Sequence, residues 1–215
     1  WAPDAAGYGV SVDIGTTTVV CYLFDLEARR ELDKISFLNP QVTYGDDVIS
    51  RIAYSSASPE ALKKIQSVLT EEMDKSLGTL AERNGIKKTE ITEIVIAGNT
   101  VMEHLFAGVS PESIGRSPYN PQFLLYPPFP ASDIGIRINE KGVIKMLPNV
   151  AGYVGADIVA GVAALSMEKA EGVKLLVDIG TNNEIVAGSR DGLFCCATAA
   201  GPAFEGARIQ YGMRA

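Results

Sequence analysis

Two short segments carry residue types that could hold a phosphate. One is Asp13-Ile14-Gly15-Thr16-Thr17-Thr18-Val19-Val20; the other is Asp178-Ile179-Gly180-Thr181-Asn182-Asn183-Glu184-Ile185-Val186. Each follows an apolar run and leads into another. A glycine in such a turn lets the backbone come close to a phosphate. Backbone N–H groups and hydroxyls then aim donors at its oxygens. These donors would come from Gly15, Thr16, Thr17 and Thr18 in one copy and Gly180, Thr181, Asn182 and Asn183 in the other. An aspartate at the strand end repels a phosphate directly. Its use would be to hold Mg²⁺, usually through water, with the metal bridging to the phosphate. Asp13 and Asp178 both stand at that point. One copy reads equally well as an ordinary hairpin turn. Two copies point to a nucleotide gripped from both sides.

Other residues carry weaker signals. Asp157 opens a helical stretch and could orient a metal-bound or attacking water, or be only a first-turn acid favoured by the helix dipole. Glu184 follows the second turn; it reads as an exposed hairpin acid, with a place behind a metal as the alternative. Asn99 and Thr100 read as a helix cap, with Gly98-Asn99 able to line a cleft. His104, the sole histidine, sits on a short apolar helix and reads as a packed structural residue rather than a triad base. Cys195 and Cys196 are neighbours on a strand, so they point to opposite faces and cannot readily chelate one ion. They read as two buried small residues.

The elements that must position these groups follow from patterning. Tyr8–Asp13 and Thr18–Phe24 read as strands joined by the short Gly-Thr turn. Glu31–Leu38 reads as a third, less regular strand ended by Asn39-Pro40. Residues Tyr44–Ile52 suggest a short helix with acids in its first turn. A long helix starts at Ser58-Pro59, shows Leu62, Ile65, Leu69, Met73, Leu77 and Leu80 on one face, and stops at Asn84-Gly85. Glu93–Gly98 is a buried-type strand, followed by a short helix to Phe106. Residues Gly108–Asp133 hold six prolines and read as an ordered excursion in which Phe123, Leu124, Leu125, Tyr126 and Phe129 are buried. Gly142–Pro148 is a strand, and Gly155–Lys169 a helix rich in Ala and Gly. Lys174–Ile179 and Glu184–Ala187 form the second hairpin, Leu193–Thr198 a strand, and Phe204 onward a helix. The pattern is mixed α/β.

Bulk properties narrow the function. The chain has 215 residues, 47% apolar and 21% charged, which describes a globular protein large enough for a sizeable core. Its net charge of −7, with no Lys/Arg-rich stretch, argues against nucleic acid as a partner. Any polyphosphate must then be bound by local donors or a metal. No apolar stretch approaches the roughly 20 residues that span a membrane. Trp1-Ala-Pro-Asp4 is not a signal peptide, and its lack of an initiator Met suggests an excised or processed piece. Three cysteines without a framework spacing fit a reducing, cytoplasmic setting.

Asp13-Ile-Gly-Thr-Thr-Thr and Asp178-Ile-Gly-Thr-Asn-Asn resemble the two phosphate motifs of the actin-like ATPase superfamily, which includes acetate and sugar kinases, Hsp70 chaperones and actin. Leu147-Pro-Asn-Val-Ala-Gly-Tyr-Val-Gly-Ala-Asp157 stands where that superfamily has its lobe-connecting helix. Three further segments narrow the resemblance: Asn39-Pro-Gln-Val-Thr-Tyr-Gly-Asp-Asp-Val-Ile-Ser-Arg-Ile, Ile96-Ala-Gly-Asn-Thr-Val-Met-Glu-His-Leu, and Cys195-Cys-Ala-Thr-Ala-Ala-Gly-Pro-Ala-Phe-Glu-Gly. They are similar to the ATPase region of reductive activators of corrinoid proteins, and the likeness covers nearly the whole chain.

The resemblance implies an α/β actin-like (ribonuclease H-like) fold, with a complete first lobe over residues 1–170 and the start of a second over 171–215. It implies ATP and Mg²⁺ as cofactors, a corrinoid protein as partner, and ATP-assisted reduction of Co(II) corrinoid to Co(I). Asp13, Asp157 and Asp178 would be the catalytic acids. A [2Fe-2S] domain belongs to such activators but has no counterpart here, because the three cysteines lack cluster spacing. The Gly-rich adenosine motif is likewise not found before Ala215, so the chain alone is expected to bind ATP poorly. The alternatives are a small-molecule kinase of the same fold, an activator of radical dehydratases bridging two subunits with a [4Fe-4S] cluster, and a non-catalytic module that binds its partner or forms a homodimer.

Overall fold

The structure is a computed structural model and describes residues 7–180 and 182–199. Strands β1 (Tyr8–Ile14) and β2 (Thr18–Asp25) form the first hairpin, and β3 (Arg30–Leu38) extends it. β4 (Ile91–Gly98) runs parallel to β1, and β6 (Val143–Met146) parallel to β4. With the short β5 (Phe129–Pro130), the order is β3-β2-β1-β4-β6-β5. β1 is therefore central, and its alternation shows why: Val10, Val12 and Ile14 share one face and are almost wholly buried. Asp13 falls on the other face, one residue from the carboxyl end of the strand. In open α/β sheets that end is where ligands bind.

Helices α1 (Val48–Ser55), α2 (Pro59–Arg83) and α3 (Thr100–Ala107) pack with this sheet into one core. α2 begins as its sequence dictates, with Ser58 accepting a bond from the N–H of Ala61. Its apolar stripe, Ile65, Leu69, Met73, Leu77 and Leu80, has no exposure at all. Each such side chain contributes about 1.5–3 kcal/mol by burial. The smaller second sheet is antiparallel, with order β7 (Lys174–Ile179), β8 (Asn182–Ser189), β9 (Gly192–Ala199). Helix α4 (Ala156–Ala164) touches both β4 and β7. A second, small core of Val154, Ile158, Met167 and Val186, backed by Val162 and Leu176, joins α4 to the second sheet.

Four sequence expectations are corrected. The helix expected over residues 44–52 starts at Val48, after a 3-10 turn at Pro40–Tyr44. Asp47 is its N-cap, with extended backbone, and accepts from Ser50 N at 2.7 Å, so the acids precede the first turn instead of lying in it. The helix expected to run to Lys169 stops at Ala164; Ser166 takes a left-handed φ of 48°, and the chain doubles back to bury Met167 in the second core. Leu124 and Leu125 are 48% and 64% exposed, because Phe123, Tyr126 and Phe129 take the inward positions as a run of ring contacts that starts on His104. Cys195 and Cys196 are exposed: β9 is the edge strand, and nothing among the described residues covers either of its faces. The helix expected from Phe204 lies outside the described residues. No helix among them is long and apolar enough to cross a membrane.

A buried carboxylate ties α2 to the loops beneath the sheet. Asp74 accepts from Lys88 Nζ, from Arg137 N at 2.7 Å and from Arg137 Nη2 at 2.6 Å. Burial alone would raise its pKa, but these donors outweigh that and hold it below the ordinary carboxylate range. Its contribution is present above the unfolded-state pKa and is lost as pH falls through the lower folded value. Asp74→Ala should cost about 2 kcal/mol at neutral pH, below the usual buried-pair penalty because Arg137 is solvent-facing. Denaturant melts should show that gap closing in acid.

Candidate functional site

The first turn is held from behind. Gly15 N donates to Thr18 O at 3.0 Å, and a Cβ on Gly15 would lie 2.5 Å from that oxygen, so only glycine fits the turn. The next three carbonyls all point inward to donors distant in sequence. Asn39 Nδ2 donates to Gly15 O at 2.9 Å, Arg51 Nη2 to Thr16 O at 2.6 Å, and Asn39 N to Thr17 O at 2.8 Å. With its carbonyls turned in, the turn presents N–H groups outward. Among the described residues, nothing accepts from the N–H of Thr16 or Thr17. Asn99, the cap of α3, donates from Nδ2 to Thr16 Oγ1 at 3.1 Å while accepting from Met102 N.

The second turn is built locally. Asp178 pairs with Glu184 and Ile179 with Asn183 across the β7–β8 hairpin. Gly180 N donates to Asn183 Oδ1 at 3.2 Å. Asn183 therefore braces the turn from an ordinary strand position, not from a left-handed one. Thr181 and the side chain of Asn182 lie outside the described residues.

The acids converge. Gly155 precedes α4, where a Cβ would sit 2.5 Å from Asn99 Cα and 2.7 Å from Gly98 O. That close approach sets the start of α4, and with it Asp157, against the carboxyl end of β4. Asp157 Oδ1 accepts from Ile158 N at 2.8 Å, satisfying one free N–H of the first helical turn. Burial pushes the Asp157 carboxyl up to about 6, with Asp13 and Asp178 adding repulsion. Asp13 is raised in the same way, by partial desolvation and then by Asp178. Glu184 is buried and pushed up to about 7, by burial and by Asp157 and Asp178.

Glu184 thus departs from the sequence expectation of an exposed hairpin acid. Cross-strand register puts it directly opposite Asp178, a like-charge pair that is destabilising by itself. The spacing of the two residues around a tight turn was the available signal. Three further residues were not singled out for a site. Asn39 and Arg51 lie in a segment whose sequence reads as punctuation and helix and carries the family resemblance, with no site role attached to either. Glu103, wholly buried on α3, accepts from Asn149 Nδ2 at 2.7 Å through Oε2, and Asn149 Oδ1 accepts from Ala156 N at 3.2 Å. Its Oε1 has no partner among the described residues. Burial raises Glu103 to about 8, Asn149 opposes this, and Asp157 adds to it. His104 is the packed residue its sequence suggested: it is buried, stacked on Phe123, bonded through Nδ1 to Thr100 O, and lowered to about 4 by burial.

The donor set is all hard oxygen, which suits Mg²⁺ and not a thiophilic metal. No three acidic, histidine or cysteine side chains among the described residues form a ready-made ligand shell.

Comparison with known proteins identifies the family. The family model described as the RACo middle region matches residues 8–170. The chain belongs to the RACo family. A second model, the C-terminal domain of RACo, the ASKHA domain, matches residues 172–215. Corrinoid activation enzyme RamQ of Eubacterium limosum is 37% identical over 207 residues, covering 96% of this chain and 35% of RamQ. A Co(II) methylated amine-specific corrinoid protein reductase of Methanosarcina barkeri is 24% identical over 217 residues, covering 97% of this chain and 39% of that protein. The solved structure of a reductive activator for corrinoid, iron-sulfur protein superposes with a TM-score of 0.89 at 42% identity, covering 99% of this chain and 34% of its own. This RACo-family chain spans about a third of the length of the curated relatives it matches. Its fold is the α/β actin-like ATPase fold expected from the sequence.

The acids give the RACo-family chain a pH signature. A carboxyl whose pKa is higher folded than unfolded keeps its proton longer in the folded state. Stability then falls as pH rises from the unfolded value near 4 through about 6 for Asp157 and about 7 for Glu184. In melts without divalent ions, Asp157→Asn and Glu184→Gln should match the wild type near pH 4 and exceed its stability increasingly up to pH 8. Parallel curves would refute the raised carboxyls.

Proposed function

We propose that this chain forms the phosphate- and metal-binding part of the ATPase in a reductive activator of a corrinoid protein. The observation that carries the reading is the convergence of both Asp-Ile-Gly turns and the head of α4 on one group of mutually repelling carboxylates. Membership of the RACo family supports the output: ATP-assisted conversion of a Co(II) corrinoid to Co(I) in the longer protein. The two family matches also support a first lobe over residues 1–170 and a second beginning at 171.

In this reading the first turn binds phosphate oxygens through the Thr16 and Thr17 N–H groups and the Thr17 and Thr18 hydroxyls. Gly180, Thr181, Asn182 and Asn183 of the second Asp-Ile-Gly segment are assigned to the phosphates by their sequence motif. Asp13 and Asp178 would hold Mg²⁺, which would offset phosphate charge. Asp157, raised to about 6, accepts a hydrogen bond from the attacking water and orients it. Glu184 stands opposite Asp178 and limits how far that carboxylate can swing. Closure of the turns on nucleotide would move β7 and β8 with α4, since the second core fastens them together. That movement is the means by which ATP acts on the corrinoid partner.

The electrons must enter from elsewhere in the longer protein, where a [2Fe-2S] domain would supply them. Cys21 is buried and isolated, and Cys195 and Cys196 lie on opposite faces of β9. All three cysteines are free thiols, which supports a reducing, cytoplasmic compartment.

In the protein as its gene encodes it, the cobalt absorption spectrum reports Co(I) formation with reductant and ATP. Asp13→Asn and Asp178→Asn should each slow the ATP-dependent rate on the order of 100-fold, with thermal stability held or raised. An unchanged rate would remove the metal-holding role from these residues.

A further inference from the structure

Behind the first turn, the guanidinium of Arg51 is fully buried without a counter-ion. Among the described residues, no carboxylate lies within ion-pair distance of it. Its contacts are neutral: Thr16 O at 2.6 Å from Nη2, Gly45 O at 2.9 Å from Nε, and Met102 Sδ at 3.3 Å from Nη1. Asp46 and Asp47 act on it only through space, both are exposed, and Asp47 is committed to capping α1. Burial lowers Arg51 to about 10, which leaves it charged at neutral pH.

Such a buried, unpaired cation is strongly unfavourable. A neutral amide suffices to brace a carbonyl of this turn, as Asn39 Nδ2 does at Gly15 O. The charge therefore calls for an anion, and peptide geometry shows where one would sit. In a trans peptide the C=O and N–H point to opposite sides. The carbonyl that Arg51 holds belongs to the same peptide unit as the N–H of Thr17. That N–H has no acceptor among the described residues, and Thr17 is exposed. Consecutive hydrogen bonds polarise one another where the dielectric is low.

We propose that Arg51 is a positioning residue for polyphosphate at the first turn: it holds the Thr16 carbonyl, and its charge, passed through the Thr16–Thr17 peptide, makes the Thr17 N–H a stronger donor to a phosphate oxygen. This rests on the reading that the turn binds nucleotide phosphate. The ligand class it favours is a di- or triphosphate, whose charge the guanidinium offsets, over an uncharged nucleoside.

The test is calorimetric titration of the full protein with Mg-ATP and with adenosine, beside Arg51→Gln and Arg51→Lys. Gln keeps a donor for Thr16 O but removes the charge; Lys keeps the charge. Arg51→Gln should weaken Mg-ATP about tenfold with adenosine affinity unchanged, and Arg51→Lys should stay within about threefold of the wild type. Equal losses in both variants, or none in Arg51→Gln, would overturn the charge role while leaving the phosphate reading intact. Absence of Mg-ATP binding by the wild type would overturn both. Should Arg51→Gln not fold, amide NMR of the wild type decides. On adding Mg-pyrophosphate, the Thr17 proton should shift downfield more than any other in the first hairpin. A Thr17 resonance that stays still while its neighbours move would refute the proposal.

Discussion

The burial of Asp157 and Glu184 beside Asp13 and Asp178 is the constraint on which the site depends. Desolvation and like charge together raise three of these carboxyls. They come from β1, the head of α4, and the β7–β8 hairpin, elements that would separate if charge alone decided. Two apolar cores oppose that. The larger fixes β1 and β4 through side chains with no exposure, and the smaller fastens α4 to the second sheet through Ile158, Met167 and Val186. Gly155 lets α4 start against backbone at the end of β4, where any side chain would clash.

The two turns share a motif but not a construction. Four residues, 15–18, lie between the paired Ile14 and Val19, and three, 180–182, between Ile179 and Asn183. The first is fixed by bonds that span long stretches of sequence, from Asn39 and Arg51. The second depends on Asn183, within its own hairpin. The first turn is thus preorganised by the lobe behind it. Helix α3 links it to α4: Asn99 reaches Thr16 at one side, and Glu103 reaches Asn149, and through it Ala156, at the other.

What could be read from the sequence was what neighbouring residues decide. The strands of both hairpins, the cap and stripe of α2, and the cap of α3 follow from local patterning. The paired Asp-Ile-Gly segments marked where ligand chemistry would lie. What escaped depends on partners far along the chain. Glu184 is buried because of register and α4, not because of its neighbours in sequence. Arg51 and Glu103 are polar residues with no exposure, an outcome that no local rule predicts for such residues. Cys195 and Cys196 failed the other way: their strand pattern suggested burial, but nothing among the described residues covers either face of β9.

If the acid cluster takes a cation with its nucleotide, binding must displace the protons that burial, with repulsion added to it, retains. Calorimetry of preformed Mg-ATP binding, run at one pH in buffers of different ionisation enthalpy, counts those protons directly. With Asp157 near 6 and Glu184 near 7, the account predicts net proton release between about pH 6 and 7 that fades above about pH 8. Binding with no proton release in that range, or with uptake, would contradict it.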